Sequence, residues 1–132
     1  MKIQMSTDYA VRVLRYIHTH SDSVLTGKEI AEATDVSYPF FAKIADLLRK
    51  KGLLVTEKGR KGGYRLGKPL EHINVYEVFV STEGELRISS CLMEHRNCNR
   101  ANEESCSFRG FLCNLQDSII AEMSSTKVLD VA

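Results

Sequence analysis

Two short β-prone stretches, Leu53 to Thr56 and Tyr64 to Leu66, bracket Glu57-Lys58-Gly59-Arg60-Lys61-Gly62-Gly63. Three glycines and three cations between two strands predict a tight hairpin with a basic tip.

What precedes it has a helical period. Tyr9, Ala10, Val13, Leu14 and Ile17 mark an amphipathic helix from about Thr7 to His20, closed by Ser21-Asp22-Ser23. Thr26 and Glu29 have the capping-box spacing and start a second, short helix from about Lys28 to Thr34. After Asp35-Val36-Ser37, a proline at Pro39 sits in a first turn, where its missing amide costs nothing. Phe41, Ile44, Ala45 and Leu48 then give a third helix one apolar stripe, leaving Tyr38, Lys43 and Arg49 on other faces, and Lys51-Gly52 ends it.

Three helices followed by a basic hairpin is the order of a winged helix-turn-helix. In that fold the third helix fits the major groove while the hairpin tip meets the DNA backbone or minor groove. The charge distribution points the same way. Residues 1–80 carry 13 Lys/Arg against 9 Asp/Glu, a net of +4, whereas residues 81–132 carry 5 against 8, a net of −3. Arg49 to Lys68 holds eight cations and one acid, Glu57. The candidate DNA-contacting residues are Tyr38, Lys43, Arg49, Lys58, Arg60, Lys61 and Arg65, the last four in the hairpin.

At 132 residues the chain can bury one sizeable core and a dimerisation arm. Its expected organisation is a DNA-binding domain over 1–80, a cysteine-bearing loop over 81–107, and a dimerisation helix with its tail over 108–132. No apolar stretch approaches the length of a membrane span and no signal-peptide core opens the chain, which predicts a cytoplasmic protein. Asn74 begins a further capped helix carrying Val75, Val78 and Phe79, broken at Glu83-Gly84. Phe108, Leu112, Leu115, Ile119 and Met123 then form a helix with one continuous apolar seam, for which a partner subunit is the expected cover.

Between these helices, Ser89 to Ser107 shows neither helical nor strand period and carries Cys91, Cys98 and Cys106. A polar loop of that kind needs a ligand to organise it. In a reducing compartment its cysteines suit metal ligands or redox thiols better than disulfides. Iron–sulfur ligation, zinc ligation and plain redox chemistry are all open to the trio. Cys113, beside the apolar seam, reads as a packing residue. His95 reads as an exposed loop histidine, and His18, His20 and His72 as surface residues.

Several segments together resemble the bacterial winged-helix repressors of the Rrf-two family. They are Ser6-Thr7-Asp8-Tyr9-Ala10-Val11-Arg12-Val13-Leu14, Leu48-Arg49-Lys50-Lys51-Gly52-Leu53, Gly59-Arg60-Lys61-Gly62-Gly63-Tyr64-Arg65-Leu66, Thr82-Glu83-Gly84 and Ser124 to Asp130. The resemblance implies a homodimer on a near-palindromic double-stranded operator. It also implies an iron–sulfur cluster, 2Fe-2S or 4Fe-4S, held by Cys91, Cys98 and Cys106 and a fourth ligand.

In the NsrR-like branch that ligand is an Asp in the first helix of the other subunit, the place of Asp8 here. In the IscR-like branch it is a His three residues after the last cysteine. Arg109 stands there in this chain, and a guanidinium cannot ligate because it stays protonated. Six residues separate Cys91 from Cys98 and seven separate Cys98 from Cys106, unlike either branch. The base-reading Glu of IscR-like members is replaced by Ala42. The function implied is a transcriptional regulator, a repressor, whose operator affinity follows the cluster, with no small-molecule substrate. The competing class is a thiol oxidoreductase, for which no CxxC, nucleophile–base pair or phosphate loop speaks.

Overall fold

The computed structural model describes residues 2–59, 62–92 and 106–132. Among the described residues six α-helices and one hairpin run in the order α1 (Met5–Thr19), α2 (Gly27–Ala33), α3 (Tyr38–Lys50), β1 (Leu54–Glu57), β2 (Gly63–Leu66), α4 (Val75–Glu83), α5 (Ser107–Ser125) and α6 (Val128–Val131). Single 3-10 turns lie at Leu70–His72 and Ser90–Leu92. The fold is mainly helical with a two-stranded antiparallel wing, as expected, and element ends differ from the sequence reading by one or two residues.

Local chemistry explains the starts. At α2 the Glu29 amide donates to the Thr26 hydroxyl (3.2 Å) while the Thr26 amide donates to the Glu29 carboxylate (2.9 Å). Asn74 and Glu77 repeat the device at α4, at 2.9 Å in both directions. Each box satisfies two amides that the helix itself cannot. The Ser37 hydroxyl accepts the Phe40 amide at the head of α3 (3.4 Å).

The hairpin pairs Leu54 with Leu66, Val55 with Arg65, Thr56 with Tyr64 and Glu57 with Gly63. It is anchored to the helices by the Tyr64 amide, which donates to the Leu25 carbonyl at 2.8 Å. That approach dictates Gly63, since a Cβ there would collide with the Leu25 carbonyl.

The main core joins the α1 stripe Ala10, Val13, Leu14 and Ile17 to the α3 stripe Phe41, Ile44, Ala45 and Leu48. Leu54, Leu70, Ile73 and Val78 close it. Val128 completes it from the other end of the chain, fully buried, its amide bonded to the Ile73 carbonyl at 3.0 Å. The tail after α5 is thus built into the core of the DNA-binding region.

A second, smaller cluster joins Phe79 of α4, Leu86 and Met123 of α5, with Ile88, Ile119 and Ile120 against it. It corrects the expectation of one continuous seam along the last long helix. Met123 is buried against its own chain, whereas Phe108, Phe111 and Leu115 stay 58%, 56% and 41% exposed on one side of the first half of α5. The reason is reach, because α4 is nine residues long and lies only against the far half of a helix of nineteen.

Candidate DNA interface and metal-ligating residues

The start of α3, the start of α2 and the wing surround a shallow cleft of about 390 Å³ lined by Thr26, Gly27, Lys28, Tyr38, Glu57 and Tyr64, among others. Tyr38 is half exposed at its edge, its ring 6.4 Å from that of Phe41, which meets Tyr64 edge-on at 5.3 Å. Burial, then the neighbouring Tyr38, push the Tyr64 hydroxyl above its ordinary pKa, so it stays a neutral donor. Helix-start amides, a lysine and two phenols around one cleft are groups that contact a phosphate backbone.

Of the seven expected DNA contacts, the five that fall among the described residues are spread over α3 and the wing. Tyr38 lines this cleft, and Lys58 is exposed beyond β1. Lys43 faces the other side of α3, where it lines a groove of about 560 Å³ with Lys2, Gln4, Phe40 and Thr82. Arg49 is held by Asp46 at 2.8 Å, and Arg65 pairs with Glu57 across the hairpin. Arg60 and Lys61 lie outside the described residues.

The sequence reading missed Lys28, hidden inside a capping signal, and Lys2. It also missed Asp46, whose carboxyl the bonds from Arg49 and then Lys50 hold below the ordinary range. The i,i+3 and i,i+4 spacing of Asp46 to those cations was the available signal. An ionised acid on α3 can accept from a base amine.

Of the metal candidates, Cys91 and Cys106 are both half-buried, one in the 3-10 turn after α4 and one as the residue preceding α5. The Ser89 hydroxyl lies 3.2 Å from the Cys91 sulfur. Cys98 and His95 lie outside the described residues. Asp8 sits in the first turn of α1, exposed, and pairs with Arg12 at 2.9 Å. Arg12 in turn lies over the Tyr9 ring (5.0 Å), which meets Phe40 of α3 edge-on at 5.5 Å. Cys113, half-buried on α5, is in no disulfide. Among the described residues no three His, Cys, Asp or Glu side chains converge as a metal site.

Arg109 supplies an independent test of whether an anionic group fits here. It stands in the first turn of α5, three residues after Cys106, and its Nε is buried with no hydrogen-bond partner among the described residues. A guanidinium at the positive end of a helix dipole, with a donor left over, calls for a nearby anion. A thiolate-ligated cluster is such an anion.

A three-helix core with its third helix and wing exposed beside one cleft defines a winged helix-turn-helix DNA-binding regulator. The family of Rrf2 iron-dependent transcriptional regulators matches residues 3–132, and the chain belongs to it. The HTH-type transcriptional regulator NsrR of Shouchella clausii is 35% identical over 113 residues, covering 85% of this chain and 75% of the relative. NsrR of Bacillus subtilis is 36% identical over 98 residues, 74% of this chain and 67% of the relative. Among solved structures, the global cysteine regulator CymR of B. subtilis superposes with a TM-score of 0.75 at 22% identity, over 100% of this chain and 96% of that one. IscR of T. potens gives 0.74 at 22%, over 99% and 85%. These two likenesses show the shared fold. Among the described residues no helix is long and apolar enough to cross a membrane.

Proposed function

We propose that this transcriptional regulator is a homodimeric, cytoplasmic repressor whose affinity for a double-stranded operator is set by an iron–sulfur cluster. Cys91, Cys98 and Cys106 would hold the cluster, with Asp8 of a second copy of the chain as fourth ligand. Bound there, the group supplies an anionic centre sensitive to oxidants, nitric oxide and iron supply.

The observation that carries this reading is the placement of Cys91 and Cys106 at the two ends of one junction, after α4 and before α5, with the unpartnered Arg109 donor beside the second. Soft thiolates favour iron–sulfur or zinc over hard cations, and the buried Nε of the half-buried Arg109 favours the more anionic of these. The exposed Phe108, Phe111 and Leu115 stripe, at i, i+3 and i+7, is the kind of face that a second α5 would cover. Among the described residues Asp8 pairs with Arg12, and leaving it for a metal would free Arg12 from its hold beside Tyr9 and, through Tyr9, Phe40 of α3.

Anaerobic purification with absorption and Mössbauer spectra tests the reading. A brown dimer with iron and sulfide supports it. A colourless protein that binds one zinc per chain through the same cysteines replaces the cluster with a structural metal.

A further inference from the structure

Apart from Thr82, which lines the Lys43 groove, the Thr82-Glu83-Gly84 segment at the end of α4 takes no part in the DNA interface or in metal ligation. Its geometry is nonetheless specific. Helix α1 begins at Met5 with no side-chain cap of its own, since Gln4 makes none. The Glu83 carboxylate replaces it, accepting the Gln4 amide through Oε1 at 3.1 Å and the Thr7 hydroxyl through Oε2. The Thr7 and Thr82 hydroxyl oxygens lie 2.7 Å apart, and Thr7 is almost fully buried. A carboxylate at the positive end of a helix, with charge-assisted bonds to an amide and a hydroxyl, is a strong cap.

What hangs on that cap matters more than its strength. Asp8 follows Thr7 directly. On the other side, Gly84 turns the chain at φ 82°, and Leu86 and Ile88 fix the next residues to α5. Leu86 packs on Met123, and the Ile88 amide donates to the buried Gln116 side chain at 3.1 Å. Cys91 comes three residues later, and Cys106 immediately precedes α5. One junction therefore carries the head of α1, the residue before the first cysteine turn and the helix that starts after the last cysteine.

We propose that Glu83 is a positioning residue that locks the first turn of α1 to this junction, so the ligand that each subunit lends to its partner stays in register with the loop that holds its own cluster. This rests on the cluster reading above and adds its regulation to it. The two clusters of a dimer would then be coupled, because disturbing one cysteine loop loosens the Asp8 that serves the other.

The test uses the full chain with Glu83→Ala, Glu83→Gln and Thr7→Val. In cluster-free protein, hydrogen exchange at Gln4 and the following first-turn amides should quicken on the order of tenfold in Glu83→Ala, the loss of one charge-assisted bond. Glu83→Gln, which keeps an acceptor, should recover most of the protection. In anaerobically reconstituted protein, Glu83→Ala should lose its cluster to a chelator or nitric oxide faster, with an altered spectrum and a single uncoupled phase.

Unchanged exchange at Gln4 in Glu83→Ala would overturn the clamp. Faster exchange with an unaltered spectrum and cluster-loss rate would make Glu83 a structural cap only, which also overturns the proposal. If wild-type protein takes up no cluster, the cluster reading and the positioning role that rests on it both fall, while the exchange data still decide whether the cap exists.

Discussion

The first 83 residues and the segment after them are held together in different ways. From α1 to α4 the apolar stripes close on one another, and Phe41, Leu14, Ile44 and Leu48 are wholly buried within one chain. The first half of α5, by contrast, leaves two phenylalanines and a leucine in water and follows a segment that carries three of the chain's four cysteines. The lesson is that the DNA-binding part, with Val128 of the tail, closes its core within one chain, while the proposed sensing part carries groups that ask for something outside the chain. Arg109, with its unpartnered Nε, says the same in polar terms.

The largest effect expected from that contrast is in the core. Phe41→Ala removes a fully buried ring that packs on Tyr64 and should cost about 3–5 kcal/mol, seen as a matching loss in denaturant unfolding of cluster-free protein. Leu115→Asn should cost the isolated chain less than about 1 kcal/mol, because the residue is exposed, yet should dissociate the dimer in sedimentation. A monomeric wild type at operator-binding concentrations would break the comparison.

Among the thiols, Cys91→Ala, Cys98→Ala and Cys106→Ala should each abolish cluster assembly, whereas Cys113→Ala should keep it. Asp8→Ala should give a labile or spectroscopically altered cluster, since a carboxylate is a weaker partner for a soft site than a thiolate. Loss of the cluster in Cys113→Ala with an untouched spectrum in Asp8→Ala would make the site all-cysteine.

Arg109→Met separates the regions by sign. Removing a half-buried cation whose buried Nε meets no acceptor among the described residues should raise the melting temperature of cluster-free protein by a few degrees, a gain of about 1 kcal/mol, yet speed cluster loss. Parallel changes in both forms would show that Arg109 serves packing alone.

For DNA, Arg60→Ala and Lys61→Ala should each weaken operator binding by about 1 kcal/mol and together flatten its salt dependence. The smallest effect concerns acid. Burial works to raise the Glu77 pKa, but the ion pair with Lys68 and the Asn74 amide outweigh it, and the folded value lies below the ordinary one. A depressed carboxyl stabilises above its unfolded pKa, and that contribution is lost as pH falls through the folded value. Glu77→Gln should accordingly flatten the acid limb of the stability curve.

How much of this was legible in the sequence follows the same division. The three helices and the wing were readable because capping boxes at Thr26 and Asn74, Pro39 and the Gly59/Gly62/Gly63 run are local devices. They act on neighbours that sequence places together. The α5 seam was misread because periodicity shows that a face is apolar without showing what covers it. Met123 finds Phe79 and Leu86 only through tertiary reach. The split of Lys43 from Tyr38 was hidden for a related reason. Both belong to α3, but the groove that takes Lys43 is lined by Lys2 to Ser6, about forty residues earlier in the chain. The Glu83 cap joins residues 76 and 79 apart, a separation at which no spacing rule operates.

The central claim is that operator affinity follows the cluster, and the direct measurement is fluorescence anisotropy of one anaerobic preparation on operator DNA at fixed salt, before and after nitric oxide destroys its chromophore. The expected result is a brown dimer whose affinity changes at least about tenfold when the colour is lost, a coupling free energy of about 1.4 kcal/mol. A protein that carries iron and sulfide but binds the operator equally well with and without them would contradict it.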